Sequence, residues 1–124
     1  MDQKLDKLRR IIPVIILNWN GENDTLACLN SFKQSENTNF LAVVVDNGSK
    51  QDSLNSLKKG CSTLFRSIVY LESDAIDNSK DILIDTLVHN QTSDILVFIE
   101  NPENYGFAKG NNIGIKIATF LNSD

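Results

Sequence analysis

The sequence predicts an α/β domain, Rossmann-like, with a mainly parallel sheet and helices on both faces. Three short runs are apolar, rich in β-branched residues and continuous, as is typical of strands buried on both faces of a parallel sheet. These runs lie at 11–17, 41–45 and 95–99. Segments with helical spacing follow them, and alternation of strand and helix indicates a doubly wound domain. Each run ends on polar residues, which are Asn18, Asp46, Glu100 and Asn101.

The first run is predicted as a strand with Pro13 near its start, where the missing N–H costs no ladder bond. The helix after it spans 24–34 and begins at Asn23 or Asp24 as the N-cap. Its apolar face consists of Leu26, Leu29 and Phe32.

The second run precedes a helix for which Ser49 and Asp52 form a start resembling a capping box, with Asp in place of Glu or Gln. Leu54 and Leu57 supply the apolar face of this helix, and Gly60 is predicted to end it. The third run precedes a helix at about 109–121. Its sheet-facing residues are Ile113, Ile117 and Phe120.

The region 61–94 is predicted as an elaborated, surface-exposed crossover within a single domain that covers 1–124. A short strand at 68–71 and a helix at 82–88 are consistent with its apolar residues. The stretch between them is polar and typical of a loop.

The 124 residues leave room for one domain with a core that needs no metal or disulfide. The net charge is −4 and the pI about 4.9, which argues against a nucleic-acid-binding face. No apolar run approaches the ~20 residues of a membrane span, and the N-terminus has no apolar signal core. We therefore expect a cytoplasmic protein in which Cys28 and Cys61 are reduced and buried.

Asn18, Trp19, Asn20 and Gly21 follow the first strand. Their amides suit a base or a ribose, and the glycine permits a tight turn. The alternative is a helix-initiating turn in which a half-exposed tryptophan covers the edge of the sheet. Both interpretations stay open on the motif alone.

Asp46, Asn47 and Gly48 follow the second strand. A carboxylate at this position can accept the imide N–H of uracil or thymine, or a ribose hydroxyl. The Asn-Gly pair permits positive φ, so that the backbone can pass close beneath a ligand. The alternative is that Asp46 only caps the following helix.

The segment 101–114 concentrates glycines and asparagines where a loop leads into the third helix. Asn104, Gly106 and Lys109 lie in this junction, and a helix N-terminus of this composition suits phosphate. The segment is neither the dinucleotide fingerprint nor the phosphate loop of nucleotide-hydrolysing enzymes. His89 and the carboxylates at 72–85 are predicted to lie on the surface, without catalytic or metal-binding roles.

Three segments, VIILNWNG (14–21), VVVDNGS (43–49) and NPENYGFAKGNNIGI (101–115), together resemble the N-terminal half of family 2 glycosyltransferases. The likeness is to the rhamnosyltransferase-like branch of the GT-A fold, which acts in cell-surface polysaccharide biosynthesis. It covers 11 to about 121, apart from 61–94.

The resemblance implies binding of a nucleoside diphosphate sugar, of the uridine or thymidine type, for transfer to an acceptor with inversion. Asn18, Trp19 and Asn20 would line the base and ribose site, and Asp46 would accept the pyrimidine imide. Asn47 and Gly48 would shape the pocket, and the loop at 104–109 would approach the ribose and diphosphate. The implied nucleotide-binding residues are completed by Asn104, Gly106, Lys109 and Asn112.

The family also carries a strand with metal-binding aspartates, and an acceptor half with the catalytic base. No residue of 1–124 matches either, so the Mg or Mn expected for a full-length enzyme has no ligands here and no catalytic residue is assigned. The chain is interpreted as a truncated donor-binding half, inactive alone, in the cytoplasm or peripheral at the inner face of the membrane. The alternative is a non-catalytic nucleotide-binding or regulatory module. In the truncated half the third strand lacks the strand that would normally flank it, so we expect self-association through this unpaired edge, or marginal stability.

Overall fold

A computed structural model describes residues 3–35 and 39–122, and within them four parallel strands form one sheet with helices on both faces. The strands are β1 (Ile12–Asn18), β2 (Phe40–Asn47), β3 (Ser67–Glu72) and β4 (Ile95–Asn101). The helices are α1 (Gln3–Arg10), α2 (Glu22–Gln34), α3 (Gln51–Leu64), α4 (Lys80–His89) and α5 (Phe107–Asn122). Short 3₁₀ helices span Ser73–Asn78 and Thr92–Asp94. The strand order is β1-β2-β4-β3, which confirms the predicted fold class.

The sheet is buried on both sides, which explains why β2 and β4 are continuous apolar runs without alternation. On one face Val43 and Val97 join a cluster with residues of α1, α4 and α5. On the other face Val44 and Phe98 pack with α2 and α3. The apolar residues predicted for α2, α3 and α5 all lie in these two clusters, which confirms the predicted faces of the three helices.

Gly60 does not end its helix, because α3 continues to Leu64. A Cβ at Gly60 would lie 2.5 Å from Cδ2 of Leu26 on α2. The glycine therefore serves the close packing of α3 against α2. The prediction of a helix stop at this position was wrong.

The predicted helix caps are also wrong. They were Asn23 or Asp24 for α2, and the pair Ser49 and Asp52 for α3. The N-cap of α2 is Gly21 and that of α3 is Lys50, and neither makes a side-chain capping hydrogen bond. The Ser49 hydroxyl donates to Asp46 instead, at 2.6 Å, and the Asp52 carboxylate accepts the N–H of the next residue at 2.9 Å.

The region 61–94 lies in an elaborated connection between the paired strands β2 and β4, as predicted, but part of it is buried, so the expectation of a surface-exposed segment holds only in part. Its strand and helix are present, but β3 pairs with β4 along its whole length. Leu83 and Leu87 of α4 are completely buried on the sheet. The polar stretch predicted as a loop contains the 3₁₀ helix Ser73–Asn78, which buries Ile76.

The strand at Ile95–Asn101 has no free edge, because β4 lies between β2 and β3. The prediction of an unpaired edge at this strand was therefore wrong. The free edges of the described sheet belong to β1 and β3. The Ile12 N–H donates to the Asn39 carbonyl at 2.8 Å. Since backbone groups alternate along a strand, the nitrogen of Pro13 faces the free edge, where no ladder bond is lost.

The two cysteines differ in environment. Cys61 on α3 is buried, as predicted, and burial raises the pKa of its thiol to about 11. Cys28 is exposed on α2, so the expectation that both are buried was wrong. Leu29 faces the core and is buried. Cys28 precedes it by one residue, which rotates the Cys28 side chain by about 100° around the helix axis and away from the sheet.

Candidate functional site

The carboxyl ends of β1, β2 and β4 lie side by side at one edge of the sheet. The register pairs Asn18 with Asp46, Asp46 with Glu100, and Asn47 with Asn101. Ligands of open α/β sheets bind outside this edge of the strands. The predicted convergence of the three polar strand ends is therefore confirmed.

Asp46 is buried and its carboxylate is already engaged by neighbouring residues. Its Oδ1 accepts hydrogen bonds from Asn18 Nδ2 at 2.9 Å and from Ser49 Oγ at 2.6 Å. Its Oδ2 accepts the Ser49 N–H at 3.1 Å. A carboxylate accepts about four hydrogen bonds, so little capacity is left for a ligand. These contacts favour the structural interpretation of Asp46, in which it fixes the turn before α3.

The turn after β1 is tied to the turn after β2 by Asn20, which has a positive φ of 50°. The Asn20 N–H donates to Ser49 Oγ at 2.8 Å, and its Oδ1 accepts the Lys50 N–H at 2.8 Å. The neighbouring Trp19 side chain is 57% exposed. The turn is thus rigid, and it presents an aromatic surface to solvent.

Asn47 joins β2 to the loop before α5 through both polar atoms of its side chain. Its Nδ2 donates to Asn104 Oδ1 at 3.0 Å and to the Gly106 carbonyl at 3.2 Å. Its Oδ1 accepts from Asn101 Nδ2 at 3.1 Å and from the Tyr105 N–H at 2.9 Å. The amide is fully satisfied by protein groups, so it positions the loop.

Gly48 has a positive φ of 77° and packs directly against the same loop. A Cβ at this position would lie 2.5 Å from the Glu103 carbonyl carbon. The close approach predicted for this glycine is therefore made to the protein backbone. Gly106 also has a positive φ, of 83°, but a Cβ there would meet open space.

The N-terminus of α5 is exposed at the same edge. The Gly106 N–H donates to Asn104 Oδ1 at 2.7 Å just before the helix begins. Lys109 lies in the first turn, with its Nζ 4.4 Å from the centroid of the Tyr105 ring. The first N–H groups of a helix lack intrahelical acceptors, so this junction is chemically suited to an anion.

Asn112 does not lie with the other predicted nucleotide-binding residues at the carboxyl edge of the sheet. Gly110 and Gly114 face the sheet, where added Cβ atoms would lie 2.8 Å from Leu17 and Ile15 side-chain atoms. Asn112 lies midway between these glycines, on the outer side of α5, and is exposed. The glycines thus hold the helix against β1, while Asn112 faces solvent.

A cavity of about 320 Å³ opens beside the ends of β2, β4 and β3. Its polar lining includes Asp46, Glu72, Asp74, Glu100 and Asn101. The two carboxylates contributed by the region 61–94 were missed, because this region was predicted as a solvated crossover. The sequence did contain a signal for this part of the site, because β3 is an apolar run that ends on a polar residue, as the other three strands do.

Lys58 of α3 offsets part of the acidity of this cavity. Its Nζ lies 3.0 Å from Glu100 Oε1 and 5.5 Å from the Tyr70 ring centroid. The ammonium group is thereby held between a carboxylate and an aromatic face.

A second cavity of about 430 Å³ lies at the opposite end of the strands, beside α1. It is lined in part by Lys7 and Arg10. The Lys7 ammonium donates to the Asn90 carbonyl at 2.8 Å, so one of these cations already serves the fold. Position relative to the sheet favours the acidic cavity as the ligand site.

Across residues 3–35 and 39–122, no group of three or more His, Cys, Asp or Glu side chains could hold a metal ion. His89 is exposed at the end of α4, where its Nδ1 lies 3.4 Å from Asp85 Oδ1, which confirms a surface histidine. None of the helices in this part of the chain is long and apolar enough to cross a membrane.

Comparisons of the chain with protein-family models, curated proteins and solved structures found no match. The interpretation of the site consequently depends on its own geometry and on the three sequence segments that meet there. Those segments are the turns after β1 and β2 and the loop between β4 and α5.

Proposed function

We propose that this chain is the donor-binding region of a rhamnosyltransferase-like family 2 glycosyltransferase. In this proposal it binds a nucleoside diphosphate sugar, of the uridine or thymidine type, and the full-length enzyme transfers the sugar to an acceptor with inversion. One observation carries the proposal. The three segments that resemble the family are linked by hydrogen bonds at the carboxyl edge of the sheet, beside a cavity of about 320 Å³.

The distribution of charge supports the proposal. Carboxylates in the cavity can accept the N–H and O–H groups of a nucleoside but repel phosphate. The N-terminus of α5, with Lys109 in its first turn, offers N–H groups and a cation to a diphosphate. The loop held by Asn47 runs between the two regions. A nucleoside diphosphate matches this distribution, because its nucleoside can donate hydrogen bonds to the acceptors in the cavity and its diphosphate can accept them from the N–H groups at the start of α5.

The divalent cation implied by the resemblance does not fit the residues of the described part of the chain, which hold no suitable ligand group. We therefore assign no metal ligand and no catalytic residue. The chain alone is expected to bind the donor without transferring the sugar. The proposal includes the expected cytoplasmic location.

Calorimetric titration tests the proposal with uridine diphosphate, thymidine diphosphate and inorganic pyrophosphate. We expect saturable binding of at least one nucleoside diphosphate, and binding at least about tenfold weaker for pyrophosphate. Absence of binding by both nucleoside diphosphates would contradict the proposal.

A further inference from the structure

The free edge of β3 borders a groove that runs along the strand. In the described part of the chain β3 pairs only with β4, so backbone N–H and C=O groups of alternate residues face outward. The groove has a volume of about 430 Å³ and lies between this edge and α4. It is lined by β3 from Ser67 to Leu71 and by Ile82 and Thr86 of α4. An unpaired strand beside a groove has the geometry that accepts a further strand.

The groove is bordered by exposed apolar side chains on both faces of the sheet. Tyr70 is 48% exposed, and its ring lies 5.6 Å from that of Phe98 on the face covered by α2 and α3. Ile82 is 61% exposed and belongs to α4, which covers the other face. A strand added at this edge would bury apolar surface on both of its sides, and this burial favours association.

Charged residues lie at both ends of β3. Arg66 precedes the strand and Glu72 is its last residue, and both are exposed. An antiparallel partner strand with a basic residue opposite Glu72 and an acidic residue opposite Arg66 gains two cross-strand pairs of opposite charge. Strand β1 contains no charged residue, so the two free edges of the sheet suit different partners.

The charge of α4 disfavours a second copy of this chain at the β3 edge. Antiparallel pairing of two β3 edges in one continuous sheet places the two α4 helices side by side on the same face. Asp81 and Asp85 are exposed on α4 next to Ile82, so the carboxylates of the two copies would approach each other. Like charges that meet across an interface weaken binding. A peptide strand that carries no helix of its own avoids this repulsion.

We infer that the β3 edge binds an extended peptide segment of another protein, which adds to the sheet as an antiparallel strand. The segment begins with a basic residue, ends with an acidic residue and carries apolar residues at alternate positions between them. Those apolar residues lie on the same face as Val69 and Leu71 and pack against Ile82. The inference goes beyond donor binding, because the groove is lined by residues other than those of the acidic cavity.

The test is a fluorescence-anisotropy titration with the labelled peptide KVTVTVE, whose ends are blocked. In the antiparallel register its lysine lies opposite Glu72, its glutamate opposite Arg66 and its valines on the α4 side. We expect saturable binding of this peptide, and binding about threefold weaker for the charge-reversed peptide EVTVTVK. A KVTVTVE peptide that is N-methylated at the edge-facing residues is expected not to bind, because main-chain hydrogen bonds supply the affinity in strand addition.

Substitutions on the two free edges locate the peptide. Ile82→Lys places a charge in the groove, so we expect it to weaken binding of KVTVTVE at least about tenfold. Ile12→Lys, on exposed β1, is the matched control and is expected to bind the peptide like the parent chain. Exchange of the two charges, by Arg66→Glu together with Glu72→Lys, is expected to reverse the preference between the two peptides.

Absence of binding by both peptides would overturn the inference, and binding of uridine diphosphate by the same chain would then leave the proposed function intact. Equal binding of the N-methylated peptide would overturn it, since the peptide would not be paired with the strand. Loss of self-association in Ile82→Lys would show that a second copy covers this edge, and would also overturn it.

Discussion

Asn47 and Asp46 lie side by side at the end of β2, and their side chains use almost all of their hydrogen-bonding capacity on the protein. Asn47 fixes the loop before α5, while Asp46 fixes the turn before α3. The polar cluster is therefore mainly a rigid frame. Asn101 is the exception, because its buried Oδ1 has no hydrogen-bond partner among the described residues.

The two glycines with positive φ provide a matched pair of substitutions. Gly48→Ala places a Cβ against the Glu103 backbone, whereas Gly106→Ala places one in open space. We predict that Gly48→Ala lowers the free energy of unfolding by about 3 kcal/mol or more, from strain and steric overlap together. Gly106→Ala is predicted to cost only about 1 kcal/mol, from the left-handed conformation alone. Urea denaturation measures both losses, and equal losses would disprove the close approach at Gly48.

The buried Cys61 thiol makes stability depend on alkaline pH. Burial raises its pKa from 9.0 to about 11, so the folded state keeps a proton that the unfolded state releases. This contribution is complete below pH 9 and is lost as the pH rises toward 11. Between pH 8 and 10.5 we predict that the parent chain loses about 2 kcal/mol more than Cys61→Ala, measured by urea denaturation. Parallel stability curves for the two chains would contradict this.

The sequence was sufficient to predict which strand ends meet, because each polar residue follows a buried apolar run. It was insufficient to predict how their side chains pair. The Asp46 carboxylate is occupied by Ser49 and Asn18, and the Asn47 amide by a loop more than fifty residues away. Such pairings depend on the register between strands, which the sequence pattern does not specify.

Helix α5 approaches the sheet through glycines, and Gly114 tests this contact. A Cβ there would lie 2.8 Å from Ile15 Cγ2. Gly114→Ala gains about 1 kcal/mol of helix propensity but incurs an overlap worth about 1–3 kcal/mol. We predict a net loss in the parent chain, and a coupling of at least about 1 kcal/mol that relieves this loss in an Ile15→Ala background. A double-mutant cycle in urea measures it, and additive effects would show that α5 does not press on Ile15.

The main strands and helices were predictable because apolar runs and helical spacing reflect burial directly. Gly60 was misread because a glycine in a close helix–helix contact and a glycine at a helix end look alike in sequence. In the region 61–94 the strand and the helix were predictable from their apolar residues, but the many polar residues around them hid how far both are buried against the rest of the sheet. Helix α1 was not predicted, since it contributes only Leu8 to the described core.

The order of the strands shows how the chain reverses direction. Helices α2 and α3 carry it from β1 outward to β3 along one face, and α4 and α5 return along the other, with α5 lying over β1 and β2. This arrangement agrees with the right-handed rule for parallel connections. Because the chain turns back after β3, β4 pairs between β2 and β3. Strand β1 remains at the edge of the sheet, and it is apolar and contains no charged residue.

We predict concentration-dependent self-association through the free edge of β1. The N–H groups of Ile15 and Leu17 face this edge by alternation, and Ile12 is 51% exposed beside it. Ile12→Lys is expected to shift the chain to a monomer in sedimentation velocity. Ile82→Lys on α4, where Ile82 is 61% exposed, is the control and is expected to associate like the parent chain. A monomer at every concentration would contradict the prediction.

The central claim is that a nucleotide binds at the carboxyl edge of the sheet, and photo-crosslinking with 5-iodouridine diphosphate tests it most directly. Peptide mass spectrometry is expected to find the label within 46–54, 72–74 or 100–102, and excess uridine diphosphate is expected to suppress it. Labelling that uridine diphosphate does not suppress would contradict the claim. So would suppressible labelling beside Lys7 and Arg10, in the cavity at the opposite end of the strands.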